Sequence, residues 1–213
     1  MWHSKIDLYS QLVAKNFNNG DYKKAEEYLL KGLDIINEAK EINKKNMNPF
    51  TFSKDSIELL QKMEFMKENW YNDDIKDINE VVHYSIFDLD INLDGIPDQW
   101  KISNREVMNA NISDDHLLLQ TQEESYIYTN YPIRLVKGNK YRLEVQTENS
   151  DISISYYIPG ITRNVLTLMQ EGNKYTAELL IEQEPNENGN ELRIYVSENC
   201  SIKNILIKKI KNE

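Results

Sequence analysis

From Leu117 onward the apolar residues recur at every second position, and this period constrains the fold more than any other feature of the chain. The sets Leu117-Leu119-Thr121, Tyr126-Tyr128, Tyr141-Leu143-Val145, Ile152-Ile154-Tyr156, Tyr175-Ala177-Leu179-Ile181, Leu192-Ile194-Val196 and Ile205-Ile207 each alternate with polar or exposed neighbours. A chain with that period buries one side of each strand and leaves the other in water. Turn residues separate the runs: Val136 to Asn139 around Gly138, Glu148 to Asp151, Ile158-Pro159-Gly160, Glu171-Gly172-Asn173, and Pro185 to Gly189. Seven or more short antiparallel strands at this spacing predict a two-sheet sandwich, with a barrel as the alternative closure.

The first seventy residues follow a different period. Ile6, Tyr9, Leu12, Val13 and Phe17 recur at three- and four-residue steps, which predicts an amphipathic helix over 6–17. Asn18-Asn19-Gly20-Asp21 breaks it, and Tyr22, Ala25, Tyr28, Leu29, Leu33, Ile36 and Ala39 line a second helix that runs to about Asn46. Asn48-Pro49 ends this run, because the residue before proline is driven out of the helical region. Ser53 is placed to cap a third helix carrying Ile57, Leu60, Met63, Phe65, Met66 and Trp70. The period changes between Trp70 and Phe87, so the chain reads as an α + β multidomain protein: a helical domain over 1–76 and an antiparallel β-sandwich over 77–213.

Charge narrows the function classes. With 35 acidic against 25 basic side chains and a net charge of -10, the chain has no sustained basic stripe, and nucleic acid is not an expected partner. No window reaches the roughly 18–20 apolar residues of a membrane-crossing helix. The single cysteine, Cys200, reads as a small residue at a strand or turn edge rather than a nucleophile. Catalysis is not expected: His3, His83 and His116 lie in unrelated segments, no Ser or Cys elbow accompanies them, zinc-ligand spacing is absent, and no glycine-rich loop opens a helix. A hydrolytic carboxylate pair is the one arrangement that counting leaves open among 35 acids.

The strongest chemical signal is an acidic loop. Between Asp77 and Trp100 lie six carboxylates and no Lys or Arg. Such a cluster repels itself unless a cation joins it, and Ca2+ takes six to eight oxygen ligands from a flexible loop. Asp90, Asn92 and Asp94 fall at loop positions one, three and five, Gly95 permits the sharp turn, Ile96 offers its carbonyl, and Asp98 lies at position nine. Asp88 is an additional or alternative ligand. Position twelve, where an EF-hand carries a bidentate Glu, is Lys101, so the loop is not an EF-hand. A structural Ca2+ is expected, with Mg2+ disfavoured by its stricter geometry. Weak extracellular calcium sites fill only outside cells, which points to an extracellular or cell-surface location, as a protein or as part of a longer membrane-associated or secreted one.

Two resemblances add to this. Gly20-Asp21-Tyr22 through Ala25, Tyr28, Gly32 and Leu33 resemble the turn and second helix of a tetratricopeptide repeat, in which the Gly makes the turn, the Tyr packs across it and the small positions let helices approach; Gly32 stands where that family usually has Ala. The stretch Asp94-Gly95-Ile96-Pro97-Asp98-Gln99-Trp100, the Gly138 to Tyr141 turn entering Val145, and the closing Ile202 to Ile207 resemble jelly-roll carbohydrate-binding modules. That resemblance implies a sandwich from about Val81 to Lys211, a structural calcium near its first strand, and glycan as ligand.

Sugar recognition needs exposed aromatic faces with polar groups beside them. Tyr157 is out of phase with Ile152-Ile154-Tyr156, and Tyr195 is out of phase with Leu192-Ile194-Val196, so both point away from the core; Arg193 shares their face. Tyr126, Tyr128 and Tyr131 form a second group close to a strand end. Trp100 reads as core and Trp70 as a helix anchor, which leaves no contiguous Trp platform. The expected function is a non-catalytic module on the outside of a bacterial cell that binds or positions glycan. The alternative is a scaffold segment of a cell-envelope or membrane glycan-assembly protein, whose helical domain meets a protein partner while the sandwich serves as a rigid spacer.

Overall fold

The computed structural model describes residues 2–45, 80–87, 95–113, 116–130, 135–148, 151–158, 162–184 and 190–210, together with Ser56, Leu59, Leu60, Met63, Lys67, Asp90 and Ile133. The chain divides into two compact units, one of residues 1–84 with 91–93 and one of residues 85–90 with 94–213.

The first unit is built on a helical hairpin of α1 (Trp2–Asn18) and α2 (Tyr22–Asn43). Ile6, Val13 and Phe17 of α1 and Ala25, Leu29, Ile36 and Ala39 of α2 are buried, the stripe that the three- and four-residue period sets. A closed hydrogen-bond pattern ends α1. Gly20 adopts φ +76 while its N–H donates to Phe17 O (2.9 Å), and the Asp21 N–H donates to Asn16 O (2.9 Å). These are the two bonds of a Schellman cap, which needs a left-handed residue where Gly20 sits. Asp21 then caps α2, its carboxylate accepting from the Lys24 N–H at 3.3 Å. Tyr9 stacks on Tyr28 across the hairpin, with ring centroids 6.2 Å apart. Gly32 has a further role, because a Cβ there would stand 2.9 Å from Leu60 Cδ1; the missing side chain is the seat of a buried leucine. The described positions between Ser56 and Lys67 are helical, and Ser56 Oγ donates to the Asp7 carboxylate. α2 ends at Asn43, three residues short of the sequence expectation, with Lys44 as its C-cap. Ser53, Ile57, Phe65, Met66 and Trp70 lie outside the described residues.

From Val81 onward the chain forms two antiparallel sheets, and the division into units falls within the first strand. The strands are β1 (Val81–Ile86), β2 (Trp100–Ile102), β3 (Met108–Ser113), β4 (His116–Thr121), β5 (Ser125–Thr129), β6 (Lys140–Glu148), β7 (Ile152–Ile158), β8 (Thr162–Val165), β9 (Met169–Glu171), β10 (Lys174–Leu180), β11 (Glu191–Val196) and β12 (Cys200–Ile210). One sheet has seven strands in the order β3-β4-β12-β6-β10-β9, with β1 also paired to β12; the other has five, in the order β2-β5-β11-β7-β8. Four-strand cores β4-β12-β6-β10 and β5-β11-β7-β8, with the chain crossing between sheets from β5 to β6 to β7 and from β10 to β11 to β12, are the two interlocked Greek keys of a jelly roll. The barrel alternative is therefore replaced by the sandwich.

The inward layer follows the period-two residues. Leu117, Leu119, Tyr141, Leu143, Val145, Ile154, Tyr156, Tyr175, Ala177, Leu179, Leu192, Ile194, Val196, Ile205 and Ile207 are all buried. β5 departs from the expected phase: Ser125, Ile127 and Thr129 point inward and the two tyrosines point out. Tyrosine tolerates either side of a strand, and the Ile127 side chain settles the phase by its stronger demand for burial. Trp100 is buried against Phe87, ring centroids 5.9 Å apart, and its indole N–H is satisfied by Ser85 Oγ at 2.9 Å. Gly138 takes φ +81 in the turn before β6, and the Tyr141 hydroxyl accepts the Val136 N–H at 2.8 Å, pinning that turn to the core.

Candidate functional site

The outer face of the five-stranded sheet gathers the residues that the sequence singled out. Antiparallel register places Lys101 beside Tyr128, Tyr128 beside Arg193, and Arg193 beside Ser155. A second row runs Tyr126, Tyr195, Ser153, and a third runs Glu191, Tyr157, Arg163. Tyr126, Tyr128, Tyr157, Arg193 and Tyr195 therefore form one cluster on β5, β11 and β7, in place of the two groups expected from the sequence. Tyr126 and Tyr128 sit within β5 rather than near a strand end. Tyr131 lies outside the described residues.

The cluster is layered. Tyr126 meets Tyr195 at 4.9 Å and Tyr128 at 6.0 Å between ring centroids. The Arg193 guanidinium lies 3.6 Å from the Tyr157 ring centroid and 5.0 Å from that of Tyr126. Its Nε and Nη2 both donate to Glu191 Oε2, at 3.0 and 2.8 Å. Partial burial works against the Arg193 charge, but hydrogen bonding to Glu191 and Tyr195, with Tyr126 close by, outweighs it and holds the group protonated. Arg163 reaches from β8 over the Tyr195 ring at 4.3 Å. This explains why Tyr195, although in the outward phase, is only 8% exposed. Ser155, also in that phase, is fully buried; the small side chain leaves room for the long ones around it.

Sequence reasoning missed Lys101, Glu191, Ser155 and Arg163. Lys101 and Arg163 lie on edge strands β2 and β8, whose short runs carry no clear alternation. Glu191 was legible in principle, two residues before Arg193 and so on the same side of β11.

Of the expected metal ligands, Asp90, Ile96 and Asp98 are described, and Asp88, Asn92 and Asp94 lie outside the described residues. The Gly95 N–H donates to Asp90 Oδ2 at 2.9 Å, and Gly95 takes φ +85, the left-handed turn that the loop reading required. Asn130 Nδ2 donates to Asp98 O at 3.2 Å and the Asn130 N–H to Gln99 O at 2.7 Å, which ties the end of the loop to β5. The carboxylate, amide and carbonyl oxygens of this segment are the hard donors Ca2+ takes. Among the described residues alone, no three His, Cys, Asp or Glu side chains converge as a metal site.

A recess of about 280 Å³ at one end of the sandwich is lined by Thr147, Asp151, Gln170, Gly172, Asn173, Tyr175 and Glu198. Asp151 and Glu198, its two carboxylates, are exposed. Cys200 is buried at the start of β12, beside Leu119. Among the described residues no helix is long and apolar enough to cross a membrane.

A scan against models of known protein families gives no match, and no curated protein sequence matches the chain. Solved structures do resemble it. One is a low-affinity xylan-binding module of family 86 from the gut symbiont Roseburia intestinalis, at 14% identity and TM-score 0.39 over 53% of this chain and 91% of that one. Another holds the family 22 carbohydrate-binding and family 10 glycoside hydrolase modules of a Clostridium thermocellum endo-1,4-β-D-xylanase complexed with xylohexaose, at 13% identity and TM-score 0.44 over 63% of this chain and 29% of that one. A third is a family 29 carbohydrate-binding module variant complexed with cellulohexaose, at 14% identity and TM-score 0.39 over 59% of this chain and 89% of that one.

Proposed function

We propose that the sandwich is a non-catalytic, extracellular glycan-binding module whose ligand lies across the outer face of the five-stranded sheet. One observation carries this reading: Tyr126, Tyr128, Tyr157, Tyr195 and Arg193 converge on that face from three adjacent strands, with Glu191 and the serines of β7 between them. Aromatic area with interleaved hydrogen-bonding groups is what a sugar requires, since a pyranose has an apolar side and a rim of hydroxyls. Five strands spaced at about 4.8 Å give a face about 19 Å wide, enough for several sugar units. In this reading the acidic loop holds a structural Ca2+ through Asp88, Asp90, Asn92, Asp94, the Ile96 carbonyl and Asp98, and the helical hairpin is a tetratricopeptide-like element that joins the module to a cell-envelope partner.

A glycan array on the calcium-loaded protein tests the face. Specific binding that falls at least tenfold, about 1.4 kcal/mol, in Tyr157→Ala is the expected outcome. Binding that Tyr157→Ala leaves untouched would move the site elsewhere, and a silent array would favour the scaffold alternative. Thermal melts in calcium and in EGTA test the loop: the wild type is expected to melt higher with calcium, and Asp94→Ala to lose that difference. An Asp94→Ala protein that still responds to chelator removes the assignment.

A further inference from the structure

We infer that the glycan of this face is anionic, bearing carboxylate or sulfate groups, and that Arg163 is its principal contact. The inference rests on the glycan reading above and narrows it to a ligand class. Among the described residues, three cations, Lys101, Arg163 and Arg193, share the outward phase of the sheet with one carboxylate, Glu191, an excess of two positive charges on a chain whose net charge is -10. The charges are not equivalent. Arg193 is held by Glu191 through two N–H groups and is mostly shielded, its side chain 17% exposed. Arg163 is exposed, and among the described residues no carboxylate lies within ion-pairing distance of it.

The rings reinforce the argument. An aromatic platform for a neutral sugar presents bare ring faces, but here Tyr157 has a guanidinium at 3.6 Å and Tyr195 one at 4.3 Å. A cation therefore lies over one face of each of these two rings. A guanidinium laid on a ring keeps its in-plane N–H donors pointing sideways, and those donors match a carboxylate or sulfate in bidentate geometry. The stack also removes some of the arginine's freedom before any ligand arrives, which lowers the entropy lost on binding. The remaining negative charge of the protein opposes polyanions elsewhere on its surface, so association is directed to this face.

Isothermal titration of the full chain with polygalacturonate, dextran sulfate and neutral xylan tests the inference, with Arg163→Gln and Arg163→Lys alongside the wild type. At least one polyanion is expected to bind tenfold or more tightly than xylan, with an affinity that falls as salt is raised. The preferred polyanion identifies the anion as carboxylate or sulfate. Arg163→Gln is expected to lose that preference at an unchanged melting temperature, and Arg163→Lys, which keeps the charge without the fork, to recover only part of it. Xylan binding that equals polyanion binding and is indifferent to Arg163→Gln overturns the anionic class while leaving the glycan reading standing. Failure of every glycan to bind overturns both.

Discussion

The two outer faces of the sandwich share one inward layer and differ in how they treat charge. On the seven-stranded sheet, among the described residues, Lys140, Arg142, Lys174 and Lys208 share the outward phase with Glu144, Glu148, Glu171 and Glu178, four cations with four carboxylates, besides the exposed Lys203 at the β12 register shift. Glu144 sits at the centre, its side chain only 14% exposed, paired with Lys174, with Lys208 at 3.3 Å and with Arg142 at 3.8 Å. On the five-stranded sheet, three cations meet one carboxylate, and the two arginines lie against tyrosine rings instead. The first face satisfies itself. The second retains donors and charge that a ligand can use, although the inward period of the two sheets is the same.

Tyr156 and Tyr157 are neighbours on β7 that point to opposite sides, and they allow the sharpest separation of fold from face. Tyr156 is fully buried, and burial, with Tyr141 nearby, pushes its hydroxyl up to about 12. Tyr156→Ala is expected to cost about 3–5 kcal/mol in chemical denaturation, the range for emptying a large aromatic site. Tyr157→Ala is expected to cost less than about 1 kcal/mol of stability while losing tenfold or more in glycan affinity. Equal stability losses for the two would mean that the outer cluster is core.

Glu144 tests the self-satisfied face. Burial raises its carboxyl, but the hydrogen bond from Lys174 and the charges of Lys208 and Lys174 outweigh it and hold the group below the ordinary carboxylate value of 4.5. A carboxyl lowered in the folded state adds stability that is complete above its unfolded value and is lost as pH falls through the folded one. Glu144→Gln is therefore expected to cost about 1 kcal/mol at pH 7, a gap that closes in urea titrations repeated near pH 3. Glycan binding should be unaffected. A gap that persists at low pH would assign the loss to packing rather than charge.

The smallest effect is that of Gly32→Ala in the helical unit. Gly32→Ala gains about 1 kcal/mol of helix propensity and loses a comparable amount by displacing Leu60, so its net change is expected to stay within about 1 kcal/mol. Gly32→Leu cannot be absorbed in this way and is expected to cost about 1–3 kcal/mol. Neither should alter binding at the sheet face, and a change in affinity would tie the helices to the site.

The strands legible in the sequence, β4, β5, β6, β7, β10, β11 and β12, are the ones with a paired neighbour on each side. The strands it passed over, apart from β1, are β2, β3, β8 and β9, the four ends of the two sheets. An edge strand pairs on one side and buries less, so its pattern is weak: β8 reads Thr-Arg-Asn-Val, β9 is exposed throughout, and β3, Met-Asn-Ala-Asn-Ile-Ser, alternates but buries only Met108. The same cause hid Arg163. Edge position, not unusual chemistry, kept the most exposed arginine of the site out of the sequence reading.

By itself the sequence determined the change from helical to strand period, the inward layer, and the outward phase of Tyr157, Arg193 and Tyr195, because burial leaves a periodic trace within each short segment. It could not determine that β5 lies against β11, which brings Tyr126 and Tyr128 to Arg193, or that β8 carries Arg163 back over Tyr195. Strand partners are chosen by contacts between residues far apart in the chain, through backbone hydrogen bonds that every residue can make. No local pattern records that choice, and only the tertiary structure decides it.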